Sequence, residues 1–143
     1  MIFLGMDEDL TSSARCVMHK VVTPSALIII DADVMKTYLH ADTEFGNQEA
    51  DSNVESVWQF IKDKSIYHVI IPDPTTHITV DVKNYKNEMF VSVKRAEALV
   101  IRSLAHRILA KAFMSAGNRP YPIRIFDCES DALAWFDKLR SAS

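Results

Sequence analysis

The stretch AEALVIRSLAHRILAKAFMSAGNRPYPIRIFDCESDALAWFDKLR, residues 96–140, decides the fold. Its first six residues, Ala96 to Ile101, form a short apolar run of strand length. From Ser103 the period lengthens, and Leu104, Ile108, Ala112 and Phe113 share a helical face expected to point inward. Gly117 supplies the left-handed stop that ends such a helix. Pro120 and Pro122 stiffen the approach to a second strand, Ile123-Arg124-Ile125-Phe126. Asp127 is placed to cap a closing helix whose buried stripe is Ala132, Trp135, Phe136 and Leu139. Glu129 and Asp131 in its first turn, and Lys138 and Arg140 in its last, complement the helix dipole. Strand, helix, strand, helix in this order is a crossover unit and implies a mostly parallel central stretch.

Upstream of this unit the chain is less regular. Tyr67 to Ile71 is a short strand ended by Pro72-Asp73-Pro74. Ile78, Val82, Tyr85 and Met89 stand at i, i+4, i+7 and i+11, which predicts a helix over about 79–89. Ser52 followed by Glu55 has the spacing of a capping box, and Val54, Val57, Trp58 and Ile61 supply the apolar face of the helix it would start. Asp42 to Asp51, with Gly46-Asn47, is polar and turn-like. Cys16 to Val22 and Ala26 to Asp31 read as two strands around Thr23-Pro24-Ser25. Met35 to His40 either continues the sheet or begins a loop. Residues 1–13 are expected to form a lightly anchored arm.

A chain of 143 residues, 48% hydrophobic and 24% charged, has the composition of one globular domain. Cys16 and Cys128 make no metal spacing and no CxxC, so both are read as reduced thiols. No apolar run approaches the roughly 18 residues of a membrane span, and the expected location is the cytoplasm. Charge is unevenly spread. Residues 1–60 hold ten acids and three bases, giving −7, whereas residues 91–126 hold seven bases and one acid, giving +6. Either two solvated faces neutralise each other, within one chain or between subunits of a homodimer, or the basic part binds an anion.

Within this frame the residues resemble the C-terminal half of small stand-alone bacterial proteins of the STAS / SpoIIAA-like superfamily. The likeness is carried by Ala98-Leu99-Val100-Ile101, Ser103-Leu104-Ala105-His106-Arg107, Phe113, Pro120 to Phe126, and Asp131-Ala132-Leu133-Ala134-Trp135-Phe136. Ile78-Thr79-Val80-Asp81-Val82-Lys83-Asn84-Tyr85 is similar to the helix start that precedes these pieces. The resemblance implies an α/β fold: a central mixed sheet of about five strands, with about four helices packed mainly on one side. It also implies a switch. In the anti-sigma-factor antagonists of that superfamily, a serine or threonine at a helix start is phosphorylated to control partner binding. The matching place here is Asp73-Pro74-Thr75-Thr76-His77, which makes Thr75 and Thr76 the acceptor candidates beside Asp73. The family's glycine is absent and Pro74 stands in the turn, so a turn or cap hydroxyl is the competing role.

The sequence lacks the motifs of the common catalytic chemistries. Three glycines, Gly5, Gly46 and Gly117, cannot make a phosphate-cradling loop. The five histidines show no HxxxH or HxH spacing; a zinc site gathered from His68, His77 and Asp73 is the weaker alternative to surface or half-buried rings. No nucleophile elbow is present. No cofactor, metal, nucleic acid or integral membrane contact is expected, and no catalytic residue. The expected function is a non-catalytic regulatory or protein-binding module. The alternative is a carrier of a small apolar or anionic ligand, its cavity lined by aromatics such as Phe113 and Trp135. Arg102, His106, Arg107 and Lys111 would form a basic, anion-binding rim.

Overall fold

Leu27-Ile28-Ile29-Ile30 has no polar residue to turn toward water, and it lies inside a sheet. In the computed structural model, which describes residues 18–117 and 119–142, strand β2 (Ala26–Asp31) pairs antiparallel with β1 (Met18–Val22) and β3 (Val34–Leu39). Of the Met35–His40 stretch, residues 35–39 continue the sheet and His40 lies beyond the strand. The expected N-terminal arm and Cys16 lie outside the described residues. The chain continues through β4 (Glu44–Phe45), α1 (Asn47–Ile61), β5 (Ile66–Pro72), β6 (His77–Ile78), α2 (Glu88–Val93), β7 (Lys94–Val100), α3 (Leu104–Ser115), β8 (Ile123–Phe126) and α4 (Glu129–Ala142).

The expected α/β architecture is the observed one, with six strands in the main sheet rather than about five. Their order is β1-β2-β3-β5-β7-β8, and β4 and β6 form a separate parallel pair. From β3 onward all main-sheet pairs are parallel and the order advances in one direction. Right-handed crossovers advancing in one direction must stack on one face. Accordingly α1, α2 and α3 cover the face carrying Ile28, Met35, Leu39, Ile66, Ile70 and Leu99. β8 is the edge strand, and after it α4 folds back over the opposite face, burying Ala132, Trp135 and Phe136 against Tyr67, Val69, Ala96 and Ala98. Arg140 fixes its end by donating from Nε and Nη2 to Asp33, at 2.9 and 2.8 Å.

Three local expectations are corrected. The first helix starts at Asn47, not at Ser52. Glu49 Oε1 accepts the Gly46 N–H at 2.8 Å, so the acid three residues on satisfies an orphan donor at Gly46. Ser52 lies within the helix. Its apolar stripe continues back through Ala50, which is why the stripe alone does not mark the start.

The second helix does not span 79–89. Ile78, Val80 and Val82 are half-buried while Thr79, Asp81 and Lys83 are exposed, a period of two; residues 79–81 are not helical, and the Asn84 and Tyr85 N–H groups donate to the Asp81 carbonyl at 3.2 and 2.7 Å to close one isolated turn. Asn87 caps the short α2 by accepting from the Phe90 N–H at 3.0 Å. The third correction is rotational. Helix α3 turns His106 and Ala110 inward, while Leu104 and Ile108 remain 76% and 61% exposed. Both faces of α3 are apolar enough to serve, and an inward-bonded histidine decides between them. As for Asp127, its carboxylate accepts from Arg107 Nη2 at 3.0 Å, and α4 opens after Cys128.

Candidate functional site

Between the sheet and helices α1–α3 lies a cavity of about 160 Å³. Its walls are chiefly apolar: Leu39 and Ile70 from the sheet, Val54 from α1, Phe90 from α2, Leu109 and Phe113 from α3. Alternation along the strands puts these residues on one face. The same alternation brings Thr37 (β3), His68 (β5) and Glu97 (β7) onto that face in adjacent strands, where they form a polar floor.

The floor is a chain of hydrogen bonds. Glu97 Oε2 lies 3.0 Å from His68 Nδ1, and His68 Nε2 lies 2.9 Å from Thr37 Oγ1. Lys94 Nζ donates to the other carboxylate oxygen, Oε1, at 3.0 Å. The Lys94 and Glu97 side chains are only 6% and 7% exposed, so each ion is desolvated and depends on the other.

Burial alone would raise the Glu97 carboxyl, but the Lys94 charge and the hydrogen bonds from His68 and Lys94 outweigh it and hold the group far below the ordinary carboxylate range. Burial lowers His68, with the pull of Glu97 only partly opposing it. Burial likewise lowers Lys94. A neutral His68 with an ionised Glu97 fixes the tautomer: Nδ1–H donates to the carboxylate, and Nε2 accepts from the Thr37 hydroxyl. Phe90 closes over the array, its ring edge-on to His68 at 5.0 Å and under Lys94 Nζ at 4.0 Å.

Hydroxyl, imidazole and carboxylate in this order are also the parts of a nucleophilic relay. Here Lys94 clamps the carboxylate, and the cation, anion and neutral ring satisfy one another. The array gives the cavity floor polarity without net charge.

The segment 79–87, which turns at 82–84, forms the outer wall. Asp81 N–H donates to Asn47 Oδ1 at 2.9 Å, and Asp51 Oδ1 accepts from Tyr85 Oη and Asn87 Nδ2, both at 2.8 Å. Arg119 Nη2 donates to the Tyr85 carbonyl from the other side. The polar face of α1 thereby straps this wall down.

The sequence-predicted residues divide around the cavity. His106 is buried and lines it. Its Nε2 lies 2.8 Å from the Thr76 carbonyl oxygen, which joins α3 to the 73–77 turn. Thr76 is buried, and its hydroxyl donates to the His40 carbonyl at 2.8 Å. Thr75 is exposed; its hydroxyl donates to Asp73 Oδ1 at 2.8 Å and accepts the Asp42 N–H at 2.9 Å. Arg102 and Lys111 are exposed, and Arg107 is paired with Asp127. His106 therefore does not share a solvent face with the other three.

Phe113 lines the cavity, whereas Trp135, expected beside it, packs under α4 on the opposite face. His68, His77 and Asp73, the weaker zinc alternative, are not brought together: no group of three or more His, Cys, Asp or Glu side chains that could hold a metal occurs among the described residues. Reading the sequence missed Thr37, His68, Lys94 and Glu97 as a set. Only His68 stood out locally, as a polar residue inside the otherwise apolar run of β5; β3 and β7 carry other polar residues, Lys36 and Arg95, that mask Thr37 and Glu97.

A family model described as "Domain of unknown function (DUF7793)" matches residues 28–140. The chain belongs to that family. The match spans β2 through α4, and so includes every element around the cavity. The fold is also similar to the crystal structure of an uncharacterized protein of the DUF3478 family, with a SpoIIAA-like fold, from Shewanella loihica PV-4. That similarity has 12% identity and a TM-score of 0.42, and covers 87% of this chain and 98% of that one. No curated protein matches. Among the described residues, no helix is long and apolar enough to cross a membrane.

Proposed function

We propose that this DUF7793 chain is a non-catalytic binding module that holds a small, largely apolar molecule in the cavity beneath α1–α3. The observation that carries this reading is a partly open, chiefly apolar cavity of about 160 Å³ in a chain of 143 residues. Protein interiors pack nearly to crystal density, and voids larger than a water molecule are few. An apolar cavity of about 150 Å³ stays dry and accepts a benzene-sized guest.

The resemblance of Ala98–Phe136 to STAS-like bacterial proteins supports a regulatory setting in which ligand occupancy alters contacts with another protein. An exposed free thiol, Cys128, suits a reducing compartment such as the cytoplasm.

The test is thermal unfolding of the full chain with toluene, indole and p-cresol, each alone. A guest that binds only the folded state stabilises it by RT ln(1 + [L]/Kd), about 2.7 kcal/mol at a hundredfold excess over Kd. The expected result is a rise in Tm of several degrees, abolished in Ala110→Leu, whose added carbons enter the cavity. If none of the three compounds raises Tm, the reading fails.

A second reading, docking of another protein, is favoured by Leu104 and Ile108, exposed one turn apart on α3. A photo-crosslinker at either position should capture one discrete protein in the native host, and a crosslinker at the exposed Glu55 should not. Capture at none of the three sites removes this reading.

A further inference from the structure

His106 carries an acceptor that the protein leaves unused. Its Nε2 faces the Thr76 carbonyl at 2.8 Å, and a carbonyl can only accept, so Nε2 holds the proton. In the neutral ring Nδ1 is then a bare lone pair. It has almost no surface open to water, so a guest meets it only when the ring or its neighbours shift, and among the described residues it is the one buried side-chain nitrogen or oxygen without a hydrogen-bond partner. His106 also lines the cavity. A buried polar atom without a partner costs stability, and native proteins leave few of them. By contrast, Thr37, His68, Lys94 and Glu97 already bond to one another.

Resting on the proposed cavity function, we infer that the guest is a compact, ring-sized apolar molecule carrying one O–H or N–H donor, which it gives to His106 Nδ1. Phenols and N–H heterocycles such as indole have this chemistry. The size limit comes from the cavity, about 160 Å³, which suits one ring with a small substituent or two fused rings. The donor requirement comes from Nδ1. A carboxylate or phosphate brings acceptors to a place that needs a donor. A plain hydrocarbon fills the space but leaves Nδ1 unsatisfied.

The specificity extends to the fold. The same imidazole that would receive the guest holds the Thr76 carbonyl through its other nitrogen. A donor at Nδ1 polarises the ring and makes Nε2–H a stronger donor toward the Thr76 carbonyl, so occupancy tightens the hold on the 73–77 turn through one ring. This turn contains the exposed Thr75, the accessible hydroxyl of the two threonines singled out in the sequence.

The experiment is a titration of isotope-labelled full-length protein with toluene, p-cresol and 4-methylanisole, three guests of similar shape of which only p-cresol has a donor. Affinity is read from cavity methyl shifts, and the His106 Nδ1 resonance from long-range proton–nitrogen correlation. The inference expects p-cresol to bind about tenfold more tightly than either of the others. It also expects the Nδ1 resonance to move on adding p-cresol alone. In His106→Phe the preference for p-cresol should disappear while toluene still binds; the wild-type nitrogen shift decides the matter if that variant does not fold. Equal binding of the three guests with a stationary Nδ1 resonance overturns the inference and leaves the cavity reading intact. A ligand-free protein whose Nδ1 is already hydrogen-bonded also overturns it. Absence of any cavity methyl shift with all three guests removes the cavity reading itself, and the inference with it.

Discussion

His106 Nε2, on α3, lies 2.8 Å from the carbonyl oxygen of Thr76, in the turn that follows β5. This one bond connects two features that are 30 residues apart in the chain: the helix that roofs the cavity and the turn that holds Asp73 and Thr75. It also orients α3. A histidine bonded inward brings Ala110 and Phe113 toward the sheet and sends Leu104 and Ile108 to the surface.

Removing the carboxylate from the cavity floor should be costly. Glu97→Gln preserves shape but leaves the Lys94 ammonium buried without its counter-ion. Breaking one side of a buried pair typically costs about 3–5 kcal/mol. Urea unfolding should show a loss in this range, and pairing Glu97→Gln with Lys94→Met should recover part of it. A loss below about 1 kcal/mol for the single variant would show that Lys94 finds another partner or reaches water.

Acid should weaken the fold in two stages with the same sign. The folded-state pKa of His68 is below its ordinary value of 6.5, so below that pH the unfolded chain takes up a proton that the folded one refuses. Stability is therefore present above about pH 6.5 and falls as pH drops, by at most about 1.4 kcal/mol per pH unit for one proton. Glu97, held below its ordinary 4.5, adds a second loss as pH falls below that value. Urea midpoints measured from pH 8 to 4 should decline in this way. His68→Gln should be less stable at pH 8 but flatter between pH 7 and 5; an unchanged slope would remove His68 as the source.

The outer wall should loosen when its strap is cut. Asp51 lies on the exposed face of α1, and its Oδ1 accepts both Tyr85 Oη and Asn87 Nδ2. Asp51→Ala removes both bonds without touching the core. Hydrogen exchange should rise across 79–87 and stay unchanged in β5 and β7, and guest dissociation should become faster. Equal exchange in the variant and the parent would show that Asn47 and Arg119 hold the wall unaided.

The start of α1 makes a sharper steric prediction. A Cβ at Gly46 would meet Thr79 Oγ1 at 2.7 Å and Glu49 Oε1 at 3.2 Å. Gly46→Ala should destabilise by about 1–2 kcal/mol, within the usual range for a single change with a named cause. Thr79→Ala in the same chain should recover most of that loss. Additive losses would place the cost in the backbone instead.

The sequence made the regular parts of this fold readable because one signal sufficed for each. A continuous apolar run located β2, and a 3.6-residue stripe located α4. Where two signals competed, the local pattern misled. Residues 78–89 fit a helical spacing if every third or fourth residue is counted, but Ile78, Val80 and Val82 alternate with polar residues, and the chain makes one isolated turn at 82–84 before α2 begins. Ser52 and Glu55 imitate a helix start inside a helix whose actual start is stabilised by Glu49. The α3 face was ambiguous because a histidine counts as polar until its partner, the Thr76 carbonyl, is known.

The candidate site was less readable still. His106 was singled out, though for a basic rim rather than a buried wall. Thr37, His68 and Glu97 belong to three strands, and only the parallel order β3-β5-β7 sets them side by side. Strand order is a long-range property that no local window contains.

The most direct test of the central claim is methyl-resolved NMR of the full chain during titration with p-cresol. The two faces of the sheet provide the control. The cavity account predicts saturable shifts at Ile70, Leu99 and Leu109, beneath α1–α3, with Leu133 and Leu139 under α4 unmoved, and no shifts in Ala110→Leu. Shifts confined to the α4 face, or equal shifts in Ala110→Leu, would contradict it.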